Sequence, residues 1–277
     1  MTSQLRAVVT GGASGLGRAL SIDIAQRGGR VVIADIDRAG AEDTARQVES
    51  AGGEAHVVTC DVRDHEAISA LAQQAEEALG TVDLVANNAG VAVGGPFEGI
   101  SLDDWKWAVD INLWGVIHGC RAFYPTMKRR KHGYIMNVAS AAGLVSPPFL
   151  SPYNVTKSAV VALSETLYAE AARHGVHVSV LCPTFFTTRI VDSSRGPVSS
   201  KLASWAEGKM KSSNLQAPEV ARAAVDAVIA GRLYVLPMRD GRMMWRLKRI
   251  LPGGVRSLMA GRLQSIIPRP LRHFGQR

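Results

Sequence analysis

Short apolar runs alternate with longer stretches of helical period along most of this chain, and that alternation limits its fold more than any other feature. Residues 5–10, 31–35, 55–60, 84–86, 134–139, 176–181 and 233–236 are brief and apolar, and they read as strands. Between them, residues 17–27, 38–51, 65–79, about 102–131, 153–174 and 218–230 place apolar side chains at helical spacing. In the first of these, Leu20, Ile24 and Ala25 share one face. Strands that are apolar on both faces need cover on both, so helices on either side of a parallel sheet are expected. The pattern predicts one doubly wound α/β domain with a seven-stranded sheet over residues 1–237, followed by a tail, residues 238–277.

Charge separates the two parts. The chain carries 32 Lys and Arg against 24 Asp and Glu, a formal net charge of +8. Eleven of the basic residues and only one acid, Asp240, fall from Arg232 to Arg277, which leaves 21 basic and 23 acidic groups before them. The body is therefore nearly neutral and the basicity belongs to the tail. With no aromatic stacking platform or reader motif beside it, that basicity does not indicate nucleic acid. In residues 242–251, Met243, Leu247, Ile250 and Leu251 share a helical face, Arg242, Arg246, Lys248 and Arg249 fall mostly elsewhere, and Trp245 lies between. Pro252-Gly253-Gly254 breaks the segment, and residues 255–263 repeat the pattern with Leu258, Met259 and Leu263. Two readings stay open. The tail is an amphipathic module for an anionic membrane interface, or it packs over the active site or a neighbouring subunit.

Cys60, Cys120 and Cys182 are too few and too scattered for a disulfide framework or a metal site, so no metal and a reducing, cytoplasmic setting are expected. The start of the chain shows no signal-peptide pattern. Residues 133–156 lack charged side chains, but Asn137, Pro147, Pro148, Pro152 and Asn154 interrupt them, so they read as a buried strand and loop.

The chemistry begins at Thr10-Gly11-Gly12-Ala13-Ser14-Gly15-Leu16-Gly17, which closes the first strand and opens the first helix. Gly11 permits a tight turn, Gly15 lets backbone approach a pyrophosphate, and Gly17 allows close helix packing. The helix N-terminus then presents N–H groups to the anion. Asp35, at the end of the second strand, can accept hydrogen bonds from an adenosine ribose, and its charge would repel a 2′-phosphate. It can equally be a solvated strand-end acid. Further on, Tyr153 and Lys157 lie four residues apart on one helical face. A nearby ammonium favours a phenolate, so Tyr153 can exchange a proton with an alcohol or carbonyl oxygen. Ser140 closes the fifth strand at the sheet's carboxyl edge, where its hydroxyl can orient that oxygen; capping local backbone is the plainer role.

Thr10–Gly17, Asn87-Asn88-Ala89-Gly90, Asn112, Ser140 and Tyr153-Asn154-Val155-Thr156-Lys157 occur together in the order and spacing of the short-chain dehydrogenase/reductase family, which residues 5–237 resemble. The resemblance implies a homodimer or homotetramer that oxidises an alcohol or reduces a ketone. It also implies that Ser140, Tyr153, Lys157 and Asn112 are catalytic, with Lys157 on the nicotinamide ribose and Asn112 holding a water that links Lys157 to solvent. Cofactor contacts are implied at Gly11, Ser14, Gly15, Leu16, Gly17, Asp35, Asp61, Val62, Asn88, Ala89, Gly90, Tyr153, Lys157, Pro183, Phe186 and Thr188. One departure is Thr184, where the family usually has glycine after proline.

Asp35 is followed by Ile36, and Ser14 precedes Gly15, so no cation is placed to receive a 2′-phosphate, although Arg38 is near. NAD(H) is the expected cofactor. Residues 141–151 and 185–214 should form the substrate pocket, with Leu144, Phe149, Phe185, Ile190 and Trp205 as lining and Arg189 and Arg195 as the nearest fixed charges. That lining favours a lipophilic secondary alcohol or ketone, and residues 185–214 are long enough to act as a lid. An NADPH-dependent ketoreductase for carrier-bound acyl substrates is the alternative, with Lys128-Arg129-Arg130-Lys131 meeting an acidic carrier. A dinucleotide-binding protein without catalysis would not need Tyr153 and Lys157.

Overall fold

The seven apolar runs become the strands of one sheet in the computed structural model, which describes residues 4–188, 190, 194–198 and 200–254. They are β1 (Arg6–Thr10), β2 (Arg30–Asp35), β3 (Glu54–Thr59), β4 (Leu84–Asn87), β5 (Gly133–Val138), β6 (Val176–Leu181) and β7 (Tyr234–Val235). Their order is β3-β2-β1-β4-β5-β6-β7, and every pairing is parallel. Val8, Val32 and Val85 line up on one face and Val9, Ile33 and Ala86 on the other, all buried, so the centre of the sheet is apolar on both faces. Strand order reverses between β1 and β4, and their carboxyl ends open a crevice there, the place where such sheets bind ligands.

Ten helices are described: α1 (Gly15–Gln26), α2 (Arg38–Ser50), α3 (His65–Leu79), α4 (Leu102–Val109), α5 (Gly115–Arg130), α6 (Ala141–Val145), α7 (Ser151–Ala172), α8 (Ser200–Lys211), α9 (Ala217–Ile229) and α10 (Arg239–Ile250). One core joins the sheet to α1, α2 and α9 through Leu20, Ile24, Val48 and Val225. The other joins it to α3, α5 and α7 through Leu71, Phe123, Met127 and Val160. Local capping sets several starts. Asp37 accepts the Gly40 N–H ahead of α2, Asp64 accepts the Glu66 N–H ahead of α3, and Gln216 with Glu219 forms a capping box on α9.

Three expectations are revised. The helix expected over residues 102–131 is divided by one π-helical turn, Asp110–Trp114, between α4 and α5. Five residues are too few to display a period of their own, so the pattern does not reveal it. Residues 141–151 contain α6, which starts on Ser140 as its N-cap. The stretch 185–214, expected as a loop, contains α8; Arg195 within it pairs with Val93, the Gly94 N–H reaches the Arg195 carbonyl at 3.0 Å, and the Arg195 N–H reaches that of Ala92 at 3.1 Å.

The tail's first helix, α10, folds back on its own chain. Trp245 packs against Tyr234 with ring centres 4.9 Å apart and planes tilted by 45°, Arg242 donates to the carbonyls of Leu236 and Pro237, and Lys248 donates to that of Leu144 at 2.6 Å. The apolar face read from the sequence nevertheless stays outside: Met243, Leu247, Ile250 and Leu251 are exposed. Residues 255–263, with Leu258, Met259 and Leu263, lie outside the described residues, as does Arg189. Among the described residues no helix is long and apolar enough to cross a membrane.

Candidate active site

The glycine-rich turn between β1 and α1 is built by contacts that exclude side chains. Gly11 has φ +65°, and a Cβ on it would lie 2.8 Å from Ala89 Cα. A Cβ on Gly17 would lie 2.1 Å from the Gly11 carbonyl oxygen and 2.6 Å from Asn88 Nδ2, so this glycine lets α1 start against the loop itself. Gly15, at φ +52°, differs: its Cβ direction meets only Thr188, at 3.7 Å. Ser14 is the N-cap of α1, and its side chain makes no capping bond. The turn thus combines an open approach at Gly15 with the amide groups at the helix start, which suits a pyrophosphate. Leu16 turns its side chain into the core, so its backbone is what it can offer.

Asn88 locks the neighbouring loop to this turn. Its Nδ2 donates to the carbonyls of Thr10 (2.8 Å) and Gly11 (3.1 Å), and Thr10 Oγ1 accepts the N–H groups of Asn88 and Ala89. Asp35 reaches the same turn from β2: one carboxylate oxygen accepts the Ala13 N–H at 2.9 Å, and the other accepts that of Asp37 at 2.9 Å. The carboxylate is held in place, and each oxygen keeps a lone pair for a further donor. Arg38 is taken by Glu42 at 2.8 Å on the exposed side of α2. Asp61, past β3, is gripped by Arg63, whose hydrogen bonds hold its carboxyl below the usual carboxylate range. Val62 is buried against Gly115 of α5.

Ser140, Tyr153 and Lys157 converge between β5 and α7. The Ser140 hydroxyl accepts the Ala142 N–H at 3.1 Å and lies 3.5 Å from the Pro183 carbonyl, and it is near enough to Tyr153 to influence the phenol. Lys157 is buried, with Nζ donating to the Val138 carbonyl at 2.8 Å and lying 5.8 Å from the Tyr153 ring centre. Burial pushes the Tyr153 phenol up, a shift that the Ser140 hydroxyl opposes. Burial also brings Lys157 down to about 8.

Asn112 occupies the π-helical turn and is fully buried. Its Oδ1 accepts the Val91 N–H at 2.8 Å, and its Nδ2 donates to the Val91 carbonyl and to Thr156 Oγ1. A Cβ on Gly90 would lie 3.2 Å from both Asn112 Oδ1 and Lys157 Nζ. The Asn87–Gly90 loop, the π turn and α7 therefore meet at one point.

Sequence reasoning missed two groups around this set. Asn87 donates to Asn137 Oδ1 at 2.9 Å, and Asn137 donates to Ser164 Oγ at 3.0 Å, a buried chain fixing β4, β5 and α7 together. Asparagine inside apolar strands was the available signal. Cys182 is buried near Tyr153 and Lys157, its thiol pushed up to about 12 by burial and so protonated at neutral pH.

Across the crevice, Pro183 offers its carbonyl to the Ala141 N–H at 2.9 Å. Thr184, the departure from the family pattern, donates to Asp240 at 3.1 Å and fits against Gly241, whose Cβ would lie 2.8 Å from it. Phe186 is buried in the core beside α1, which leaves its backbone as its cofactor-facing part. Thr188 faces Gly15, and its hydroxyl accepts the Ile190 N–H at 3.3 Å. Phe185 meets Trp205 of α8 edge to face at 5.5 Å. Phe149 takes φ +64° while its carbonyl accepts the Gly95 N–H, and Leu144 lies on α6. Arg195 is not a free charge beside them: it lies 4.0 Å over the Trp107 ring and 4.0 Å from Asp104. In the basic cluster ending α5, Arg130 donates to the Val82 carbonyl. Among the described residues no group of acidic, His and Cys side chains could hold a metal ion.

A parallel sheet with a switch-point crevice and a glycine turn shaped for a pyrophosphate is the fold of a nicotinamide dinucleotide-dependent oxidoreductase, here one of the alcohol-dehydrogenase class. The chain belongs to the short-chain dehydrogenase family, whose sequence profile matches residues 6–198. It is 32% identical over 243 residues to 1-deoxy-11-beta-hydroxypentalenate dehydrogenase of Streptomyces exfoliatus, covering 87% of this chain and 85% of that one. It is 36% identical over 185 residues to 3beta-hydroxysteroid dehydrogenase 1 of Eggerthella lenta, covering 66% and 71%. Among solved structures, a short-chain dehydrogenase/reductase from Burkholderia phymatum in complex with NAD is similar at a TM-score of 0.83, with 36% identity and 96% of each chain covered.

Proposed function

We propose that this dehydrogenase transfers hydride between NAD(H) and a lipophilic secondary alcohol or ketone, with Ser140, Tyr153, Lys157 and Asn112 as its working set. The observation that carries the reading is the convergence of Ser140, Tyr153 and buried Lys157 at the rim of the glycine-turn crevice. Bound nicotinamide supplies or accepts the hydride. Tyr153 takes the alcohol proton, or returns one to the carbonyl, while Ser140 hydrogen-bonds the same oxygen. Lys157 carries positive charge beside the phenol and reaches the ribose side of the crevice. Asn112 positions the Val91 backbone and so the Gly90 loop against which Lys157 rests. The chain works as a homodimer or homotetramer in the cytoplasm.

Two features favour NAD(H). Asp35 is held at the glycine turn, and both arginines beside it are paired with acids, Arg38 with Glu42 and Arg18 with Asp43. Lipophilic substrates are favoured by Leu144, Phe149, Phe185 and Trp205 around the crevice and by relatives named for a hydroxypentalenate and a hydroxysteroid. The test is kcat/KM with NAD+ and NADP+ across steroid, terpenoid and aliphatic secondary alcohols. NAD+ should lead, and Asp35→Ser should narrow that lead by about tenfold, the equivalent of roughly 1.4 kcal/mol of removed repulsion. An NADP+ preference in the unaltered enzyme refutes the assignment.

A further inference from the structure

Away from the crevice, a cavity of about 330 Å³ opens at the free edge of the sheet, between α9, β7 and α10. Arg232, Arg242 and Arg246 line it with Tyr234 and Trp245 as aromatic walls, and no acid does. Arg242 is preorganised: one nitrogen of its guanidinium is bonded to the carbonyls of Leu236 and Pro237, at 2.9 and 3.1 Å. Among the described residues no acidic side chain pairs with any of the three. Three arginines around one cavity, none ion-paired, suit a phosphate-bearing anion; Glu165, outside the lining, is taken up by the Tyr234 hydroxyl.

The outer side of the same helix indicates where that anion sits. Met243, Leu247, Ile250 and Leu251 form an uncovered stripe, with Met243 66% and Ile250 75% exposed. At helical spacing, Arg239, Arg242, Arg246 and Arg249 form a second stripe directly beside it. Beyond α10 the sequence continues with Arg256, Arg262, Arg269, Arg272 and Arg277 and has no Asp or Glu. A soluble phosphate compound would fill the cavity and leave the apolar stripe in water. A second copy seated symmetrically here would bring its three arginines against these three. An anionic bilayer satisfies both stripes at once.

We propose that the cleft between β7, α9 and α10 seats the phosphate headgroup of an anionic phospholipid while the outer stripe of α10 rests in the bilayer interface. Docking there would hold the substrate side toward the lipid, because α10 also braces the pocket wall: Lys248 holds the Leu144 carbonyl, and Gly241 fits against Thr184. Supply of a lipophilic alcohol from the bilayer rests on the substrate class proposed above; docking itself does not.

The test is flotation of the full chain with phosphatidylcholine vesicles, with and without about a quarter phosphatidylglycerol. Binding should require the anionic lipid and fall with salt. Arg232→Glu with Arg246→Glu, and separately Leu247→Glu with Ile250→Glu, should each cut the bound fraction at least about tenfold, while unchanged melting curves show that the variants fold. Equal flotation on both vesicle types, or binding untouched by either pair of substitutions, overturns the proposal. So does stabilisation by inorganic phosphate that the arginine substitutions remove, without vesicle binding, since the cleft would then serve a soluble anion. A dimer in solution that the arginine substitutions dissociate overturns it as well. Because the readout needs no alcohol, its failure is distinct from failure of the substrate assignment.

Discussion

The two halves of the sheet hold their site residues by different means. On the β1–β4 side, short backbone contacts do the positioning: Gly17 against the Gly11 carbonyl, Asn88 on Thr10 and Gly11, Asp35 on Ala13. On the β6–β7 side, side chains distant in sequence meet: Thr184 with Asp240, Lys248 with the Leu144 carbonyl, Arg195 over Trp107. A site for a common cofactor needs a fixed cradle, whereas the substrate side can be rebuilt through individual side-chain pairs. The first half should therefore tolerate almost no change, and the second should lose little from any one.

The set on the seam between the halves gives the largest effect. Tyr153→Phe removes the proton carrier proposed to act beside Ser140, so kcat should fall by about 10²–10⁴-fold. NADH binding, followed by fluorescence, should persist. Turnover near that of the unaltered enzyme would remove Tyr153 from the chemistry.

Within the cradle, Gly17→Ala should destabilise the fold by about 2–4 kcal/mol, because its Cβ would lie 2.1 Å from a backbone oxygen that cannot move without shifting the turn. Denaturant unfolding measures this, with Gly208→Ala on α8, where nothing lies within 4 Å of the added Cβ, as the contrasting change. Similar losses at both positions would erase the distinction between the halves.

The same contrast explains what the sequence discloses. All seven strands and the helices of residues 15–79 are legible because period and glycine spacing are local properties, and the helix expected over 65–79 matches α3. The cradle is legible for the same reason. The π turn at Asn112 is hidden because it spans only five residues inside a long helical stretch, too few to display a period of their own. Helix α6 has only five residues, too few to display a period, although its cap, Ser140, is visible as a strand-end serine. The matching of Thr184 with Gly241 carries no local signal at all, since only the folded chain brings them together. The basic tail disclosed its two-sided character but not which side would be covered.

Lys157 offers a pH test at the seam. Its folded value of about 8 lies below the ordinary lysine range near 10.4. Between those values the unfolded chain holds a proton that the folded chain has released, so this lysine makes stability rise with pH across that window. Tyr153, whose phenol is pushed up, contributes the opposite slope above its ordinary value near 10. Comparison with Lys157→Met cancels the tyrosine term. The unaltered chain should gain about 2 kcal/mol on the variant between pH 8 and 10 in denaturant titrations. A parallel pH dependence in the two proteins would show that the ammonium is not desolvated.

The smallest effect belongs to the second half. Thr184→Gly restores the residue usual in the family and removes the hydroxyl that donates to Asp240 at 3.1 Å on the exposed start of α10. Partial exposure keeps such a bond modest, so the loss should be about 0.5–1 kcal/mol. A double-mutant cycle with Asp240→Ala isolates it, with a coupling of similar size expected if the contact fastens α10 to the pocket wall. Kinetics extend the comparison: loosening α10 should raise KM for the alcohol and leave KM for the dinucleotide unchanged, because the cradle makes none of these contacts. Equal changes in both constants would mean that the substrate side braces the cofactor side after all, and the two halves would have to be treated as one.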